Sequence, residues 1–284
     1  MQPLSRLMRP RSIAVVGGGT WCAAVVAGCR KIGFAGPVWP VHPVKTEVAG
    51  LPAYASVADL PEAPDAVFIG VNREASIEVL RALSAMGAGG AVCFASGFRE
   101  SVSETGDGAA LEAALVAAAG PMRILGPNCY GFLNLLDGAA LWPDQHGAER
   151  VEMGVAIVTQ SSNLALNLTM QTRALPLAYV VTVGNQAQSG LPEIAESLLE
   201  DRRVTALGLH VEGVGDLAAF AAMAARARAL GKPVVILKSG SSEGARAAAL
   251  SHTGSLAGSD AGAGALFERL GLARVRTPAE MVET

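Results

Sequence analysis

The sequence predicts two tandem doubly wound α/β domains, each a parallel sheet flanked by helices, and three observations carry that reading. Short apolar runs, too uniform to alternate, recur along the chain, as strands buried on both faces require. Ala-rich amphipathic segments separate them, as crossover helices do. At 284 residues the chain also exceeds what one hydrophobic core readily organises.

In the first domain, residues 1–138, the predicted strands are Ser12 to Val16, Pro37 to Pro40, Ala66 to Val71, Gly90 to Ala95 and Arg123 to Leu125. Helices are predicted near Cys22 to Ile32, Glu74 to Met86 and Ala109 to Ala119. Residues 139–152 are polar, carry Pro143 and Gly147 and show no clear period, so they read as a linker. The second domain, residues 153–284, repeats the pattern with strands at Val155 to Thr159, Tyr179 to Thr182, Ala206 to Val211, Pro233 to Lys238 and Ala273 to Val275. Its helices are predicted at Asn163 to Thr172, Pro192 to Leu199, Leu217 to Leu230 and Asp260 to Leu270.

Composition narrows the function. The net charge of -3 and 5% aromatic content exclude a broad nucleic-acid face. No apolar run reaches the ~18 residues of a membrane span, because Gly, Pro or a charge interrupts each one. The basic start, Met1 to Arg11, lacks a signal-peptide cleavage site, so a cytoplasmic protein is expected. Cys22, Cys29, Cys93 and Cys129 lack metal-site spacing, and Cys22 and Cys29 read as small core residues. No metal site is predicted.

The first strand runs into Gly17-Gly18-Gly19-Thr20 and then a helix, which directs backbone N–H groups and a helix N-terminus at any docked phosphate. The third glycine of a dinucleotide fingerprint is missing, with Cys22 in its place, so a plain tight turn explains the loop as well. The second strand ends Trp39-Pro40-Val41-His42-Pro43-Val44-Lys45, without the acid that would hold the ribose of NAD. Lys45, and His42 when protonated, favour a nucleotide with an extra phosphate, either the 3′-phosphate of coenzyme A or the 2′-phosphate of NADP. A solvated Lys45 and a turn-capping His42 are the plainer alternative. Gly126-Pro127-Asn128-Cys129-Tyr130-Gly131 follows the last strand, at the carboxyl edge where open α/β sheets bind ligands. Asn128 there is placed to orient a carbonyl or thioester. Cys129 reads as a neighbour of the thiol site rather than a nucleophile, for no local base lowers its pKa.

In the second domain, Thr159-Gln160-Ser161-Ser162-Asn163 leads into an apolar helix, so hydroxyls and amides at Ser161, Ser162 and Asn163 converge on a helix N-terminus that suits an anion. Glu212 ends the strand Leu207-Gly208-Leu209-His210-Val211. His252 lies in Ser251-His252-Thr253-Gly254-Ser255-Leu256-Ala257-Gly258, among residues too small to bury its ring. A neutral imidazole is a competent nucleophile toward phosphorus, and a carboxylate on its other nitrogen would fix the tautomer, which pairs Glu212 with His252. His210 reads as a core histidine and His146 as a linker residue.

Taken together, Arg9-Pro10-Arg11-Ser12-Ile13, Gly50-Leu51-Pro52-Ala53-Tyr54, Gly126-Pro127-Asn128-Cys129, Val211-Glu212-Gly213, and Lys238-Ser239-Gly240 through Ser251-His252-Thr253-Gly254 resemble the NDP-forming acyl-CoA synthetases. This is the ADP-forming acetate–CoA ligase group, related to the succinyl-CoA synthetase alpha subunit. The resemblance implies a Rossmann-like domain binding coenzyme A, followed by a flavodoxin-like ligase domain. In it His252 would carry phosphate between an acyl phosphate and ADP, Glu212 would support it, and phosphate would rest on Ser161 to Asn163 with Thr253 and Gly254. A small carboxylic acid is the implied substrate, and ATP/ADP with Mg2+ would sit on a partner ATP-grasp module, within an oligomer. The chain ends at Thr284 where relatives continue, so a fragment or one subunit of a two-part enzyme is expected. It departs from the family where Ser-Gln-Ser-Gly-Ala reads Thr159-Gln160-Ser161-Ser162-Asn163, where Gly-Ala-Ser opens the first loop, and where Asn-Pro reads His42-Pro43. A non-catalytic acyl-CoA sensor is the competing reading, disfavoured by intact His252 and Glu212. An NAD(P) oxidoreductase stands third, lacking both the acid after strand two and a hydride-handling site.

Overall fold

In the computed structural model, residues 2–101, 106–240 and 260–284 are described. Helix α1 (Ser5–Met8) leads into a first sheet of five parallel strands: β1 (Ile13–Val16), β2 (Val38–Val41), β5 (Ala66–Ile69), β6 (Gly90–Cys93) and β7 (Arg123–Leu125). Between β2 and β5, residues 47–48 (β3) and 51–52 (β4) form a small antiparallel ribbon. The sheet order is β2-β1-β5-β6-β7, and Ile13 pairs with both Val38 and Ala66. Every residue of β1, β5 and β6 is buried, which is why these runs show no alternation.

Helices α2 (Thr20–Lys31), α3 (Arg73–Ala85) and α4 (Gly108–Ala119) cover this sheet. α3 starts where Asn72 Oδ1 accepts the Ala75 N–H at 2.8 Å, and it buries Ile77, Leu80 and Leu83 along one stripe.

The second sheet holds β10 (Gly154–Thr159), β11 (Leu177–Thr182), β12 (Val204–Val211), β13 (Val234–Lys238) and β14 (Ala273–Val275), all parallel. Its helices are α5 (Ser162–Thr169), α6 (Leu191–Leu199), α7 (Leu217–Ala229), α8 (Asp260–Arg269) and α9 (Pro278–Glu283). Within the described residues, the five parallel strands of each domain share one order. The second strand lies outside the first, and the third to fifth extend the other way. Such an order reverses direction beside the first strand, and ligands of open sheets bind at the carboxyl ends there. For the first sheet that point lies between β1 and β5; for the second, between β10 and β12.

A hairpin not expected from the sequence, β8 (Phe132–Asn134) and β9 (Ala139–Leu141), adds antiparallel to β11 and completes a seven-stranded sheet. Residues 132–141 therefore pair with the second sheet, although sequence reading divides them between the end of the first domain and the linker. Runs of three residues are too short to show a period. The predicted helix over 163–172 stops at Thr169, before the polar turn at Gln171-Thr172-Arg173.

One apolar cluster runs from Leu7 and Val25 of the first domain through Phe132 and Leu133 into Tyr179 and Val181 of the second. Fully buried side chains of this kind each contribute about 1.5–3 kcal/mol, so the domains are joined by core as well as by chain. Polar links add direction. Gln188 accepts the Ile124 N–H at 2.9 Å and donates to Met122 O at 3.0 Å, and the buried Arg123 pairs with Glu193. No helix among the described residues is long and apolar enough to cross a membrane.

Candidate functional site

The carboxyl edges of the two sheets face each other across a cleft of about 810 Å³. From the first domain it takes the ends of β5, β6 and β7, including Gly70, Arg73, Phe94 and Asn128. The second domain contributes the start of α5, the end of β12 at Glu212, and Asn185 beyond β11. Of the residues predicted from the sequence, the cleft gathers Asn128, Cys129, Ser161, Ser162, Asn163 and Glu212. Gly17, Gly18, Gly19, Thr20, His42 and Lys45 form a separate corner at the ends of β1 and β2. His252, Thr253 and Gly254 lie outside the described residues, and so does the expected pairing of Glu212 with His252.

At the first corner Gly17 has φ +123, and a Cβ there would meet Gly70 O at 2.8 Å, so the turn after β1 requires glycine. A Cβ on Gly18 would meet the His42 ring at 2.2 Å. His42 Nδ1 accepts the amide N–H of Val44 at 3.1 Å and of Lys45 at 2.9 Å. That nitrogen is thus committed to the turn, and the Lys45 ammonium places positive charge at this corner. The Lys45 ammonium donates to Gly18 O, which holds it at the mouth of the loop. Gly19 caps α2, and a Cβ there would meet nothing within 4 Å, leaving the first-turn amides approachable.

At the cleft, Asn128 adopts φ 57, with its N–H bonded to Ala95 O at 2.9 Å and its carboxamide 3.5 Å from Asn185 Oδ1. Asn185 in turn donates to Glu112 at 3.1 Å and to Glu100. Gly184 makes this approach possible, because a Cβ there would meet Pro127 O at 2.2 Å. Cys129 is buried, and burial pushes its thiol up to about 12, so it stays protonated at neutral pH and is no nucleophile.

Ser161 caps α5, with its Oγ accepting the Leu164 N–H at 3.2 Å, while Ser162 and Asn163 of the first turn, where amides lack intrahelical partners, line the cleft. Gln160 links this helix start to the end of β12. Its Oε1 accepts the N–H groups of Gly213, at 3.1 Å, and of Glu212. Behind them His210 Nδ1 lies 3.0 Å from Thr159 Oγ1 and its Nε2 lies 2.6 Å from Ser239 Oγ. Burial, then the nearby Lys238, pushes this imidazole down to about 4. Sequence reading places His210 in the core but misses its two hydroxyl partners, and it misses Gln160 and Asn185 as site residues. The signal for Asn185 is a Gly-Asn turn directly after a strand, as at Gly126-Pro127-Asn128. No cluster of metal-ligating side chains occurs among the described residues.

Comparison with known proteins bears on both halves. Residues 11–134 match a CoA binding domain, and residues 152–284 match a succinyl-CoA ligase like flavodoxin domain. The alpha subunit of an ADP-forming acetate–CoA ligase II from Pyrococcus furiosus is 31% identical over 98% of this chain and 61% of its own length. A trans-feruloyl-CoA synthase from an unknown prokaryotic organism is 35% identical over 90% of this chain and 38% of its own. The solved structure of a Ca. Korarchaeum cryptofilum dinucleotide forming acetyl-coenzyme A synthetase 1, in complex with phosphate and ADP, superposes with a TM-score of 0.87 at 30% identity, covering 100% of this chain and 61% of that one. The chain thus spans less than two thirds of the length of these relatives.

Proposed function

Since the chain belongs to the NDP-forming acyl-CoA synthetase family, we propose that it forms the coenzyme-A-binding and phosphohistidine-carrying part of an ADP-forming acyl-CoA synthetase. The reaction is acid + coenzyme A + ATP ⇌ acyl-CoA + ADP + phosphate. One observation carries this reading: a single cleft joins Asn128, at the carboxyl edge of the first sheet, to the anion-suited start of α5 and Glu212 in the second.

Coenzyme A lies along the carboxyl edge of the first sheet. Lys45 receives the 3′-phosphate and the open start of α2 at Gly19-Thr20 receives the pyrophosphate. The sheet order carries the pantetheine from β1 past β5 and β6 to β7, so the thiol arrives at Asn128. There the Asn128 carboxamide orients the thioester carbonyl. Phosphate on the amides of Ser162 and Asn163 attacks that carbonyl, forming acyl phosphate and releasing the thiol. His252 then takes the phosphoryl group from the acyl phosphate, releasing the acid, and passes it to ADP held by a partner nucleotide-binding module. Glu212 stabilises the imidazolium that develops.

Parallel calorimetric titrations with coenzyme A, dephospho-coenzyme A and NADH test the first half. Coenzyme A is expected to bind about tenfold more tightly than its dephospho form, the worth of one partly screened charge-assisted contact. Lys45→Ala should erase most of that difference. Binding of NADH alone would overturn the assignment.

A further inference from the structure

Resting on the coenzyme A reading above, we propose that the acid this site activates is aromatic, and that Phe94 and Tyr130 form the acyl subsite. The chain has only three Trp, three Tyr and seven Phe. Five of these thirteen stand in one cluster: Trp21 to Phe94 at 5.7 Å between ring centroids, Phe68 to Phe94 at 5.6 Å, Phe94 to Tyr130 at 6.1 Å, and Tyr130 to Trp142 at 5.5 Å. Phe68 and Trp142 are fully buried and belong to the core. Phe94 and Tyr130 are only half-buried, and both line the cleft, on the β6 and β7 side of it.

Core packing explains the inward faces of these rings but not why two of them open into a cleft whose other side chains are mostly polar. Asn72, Asn128, Gln160, Ser161, Asn185 and Glu212 offer hydrogen bonds and charge, which suit a carbonyl and a phosphate. Phe94 offers nothing to either group, and Tyr130 only the hydroxyl at one edge of its ring. Their exposed faces gain only from a ligand portion that is apolar and flat, and that portion must adjoin the carbonyl held by Asn128, two residues from Tyr130. The acyl chain meets that description; the pantetheine passes β6 on its way to Asn128 but is not flat, and the pyrophosphate and 3′-phosphate of coenzyme A belong at the Gly19 and Lys45 corner. The planes of Phe94 and Tyr130 are tilted by 50°, the mutual geometry in which a further ring adds edge-to-face or offset contacts. A methyl group would leave most of both faces wet.

The test is calorimetric titration of the chain with benzoyl-CoA and acetyl-CoA, with coenzyme A as reference. Two added aromatic contacts predict benzoyl-CoA tighter than acetyl-CoA by on the order of tenfold. In Phe94→Leu and Tyr130→Leu, which keep apolar volume so that folding survives, the benzoyl-to-acetyl ratio should fall toward one. Equal affinities in the parent chain, with coenzyme A still bound, would overturn the aromatic assignment and leave the coenzyme A reading intact. Variants that weaken both thioesters equally would also overturn it, since the rings would then serve the coenzyme. A chain that binds none of the three would instead defeat the reading on which this rests.

Discussion

A His252→Ala chain, incubated with labelled ATP and a complementary nucleotide-binding module, is expected to take up no acid-labile, alkali-stable phosphate, while the parent chain does. His252 itself lies outside the described residues, so the argument runs through its surroundings and its rivals. The segment that carries it leaves the second sheet at Lys238-Ser239-Gly240, beyond the carboxyl end of β13. That is the edge where β10 delivers Ser161 and β12 delivers Glu212. None of the other three histidines lines the cleft. His42 Nδ1 holds the turn at Val44 and Lys45, His146 Nδ1 lies 3.2 Å from Ala148 O, and both His210 nitrogens meet hydroxyls. A nucleophilic imidazole needs one nitrogen with a lone pair facing phosphorus, and none of these three offers one at the cleft. Because the loss removes the only attacking atom, the expected effect is complete rather than partial. Label retained by His252→Ala would sink the assignment; label lost equally in His210→Gln would show that the test reads folding instead of chemistry.

Strand positions in both sheets are legible in the sequence because parallel strands are buried on both faces and announce themselves as unbroken apolar runs, as at Ile13-Ala14-Val15-Val16 and Val234-Val235-Ile236-Leu237. Site residues directly after such runs are legible for the same reason: Gly17, Asn128, Ser161 and Glu212 each follow a strand within three residues. The β8–β9 hairpin is not legible. Its strands are three residues long, and its pairing with β11 is a contact across more than forty residues that no local pattern encodes. Gln160 and Asn185 are harder to read, since each bonds residues that only the fold brings beside it: Gln160 those at the end of the neighbouring strand, Asn185 the carboxylates of the other domain. At His42 the fold adopts the turn-capping alternative that the sequence offers, its Nδ1 accepting two backbone amides.

His210 makes the fold acid-sensitive in a definite window. Its Nδ1 and Nε2 are both within hydrogen-bond distance of hydroxyls, at 3.0 Å from Thr159 Oγ1 and 2.6 Å from Ser239 Oγ. Thr159 Oγ1 donates to Ser161 O at 3.1 Å, so it accepts from the ring, which places the proton on Nδ1 and leaves Nε2 to accept from Ser239. That neutral tautomer satisfies every partner. A second proton would add charge to a buried ring beside Lys238, and the folded pKa falls to about 4. An unfolded histidine titrates near ~6.5. The folded state therefore resists a proton that the unfolded chain accepts, so the stabilisation is fully present above pH ~6.5 and is lost as pH falls toward ~4, where both states are protonated. At about 1.4 kcal/mol per pH unit the loss amounts to roughly 3 kcal/mol. The measurement is denaturant unfolding of the parent chain and of His210→Gln at a series of pH values between ~7 and ~4. Glutamine can bond both hydroxyls and does not titrate, so its stability should stay nearly level through the window while that of the parent falls. Carboxylate titration and the remaining histidines are common to both proteins and cancel in the difference. If the two curves descend in parallel, His210 is not the group responsible. If they diverge, the joint between Thr159, at the phosphate-suited helix start, and Ser239, where the His252 segment begins, depends on an imidazole that must stay neutral.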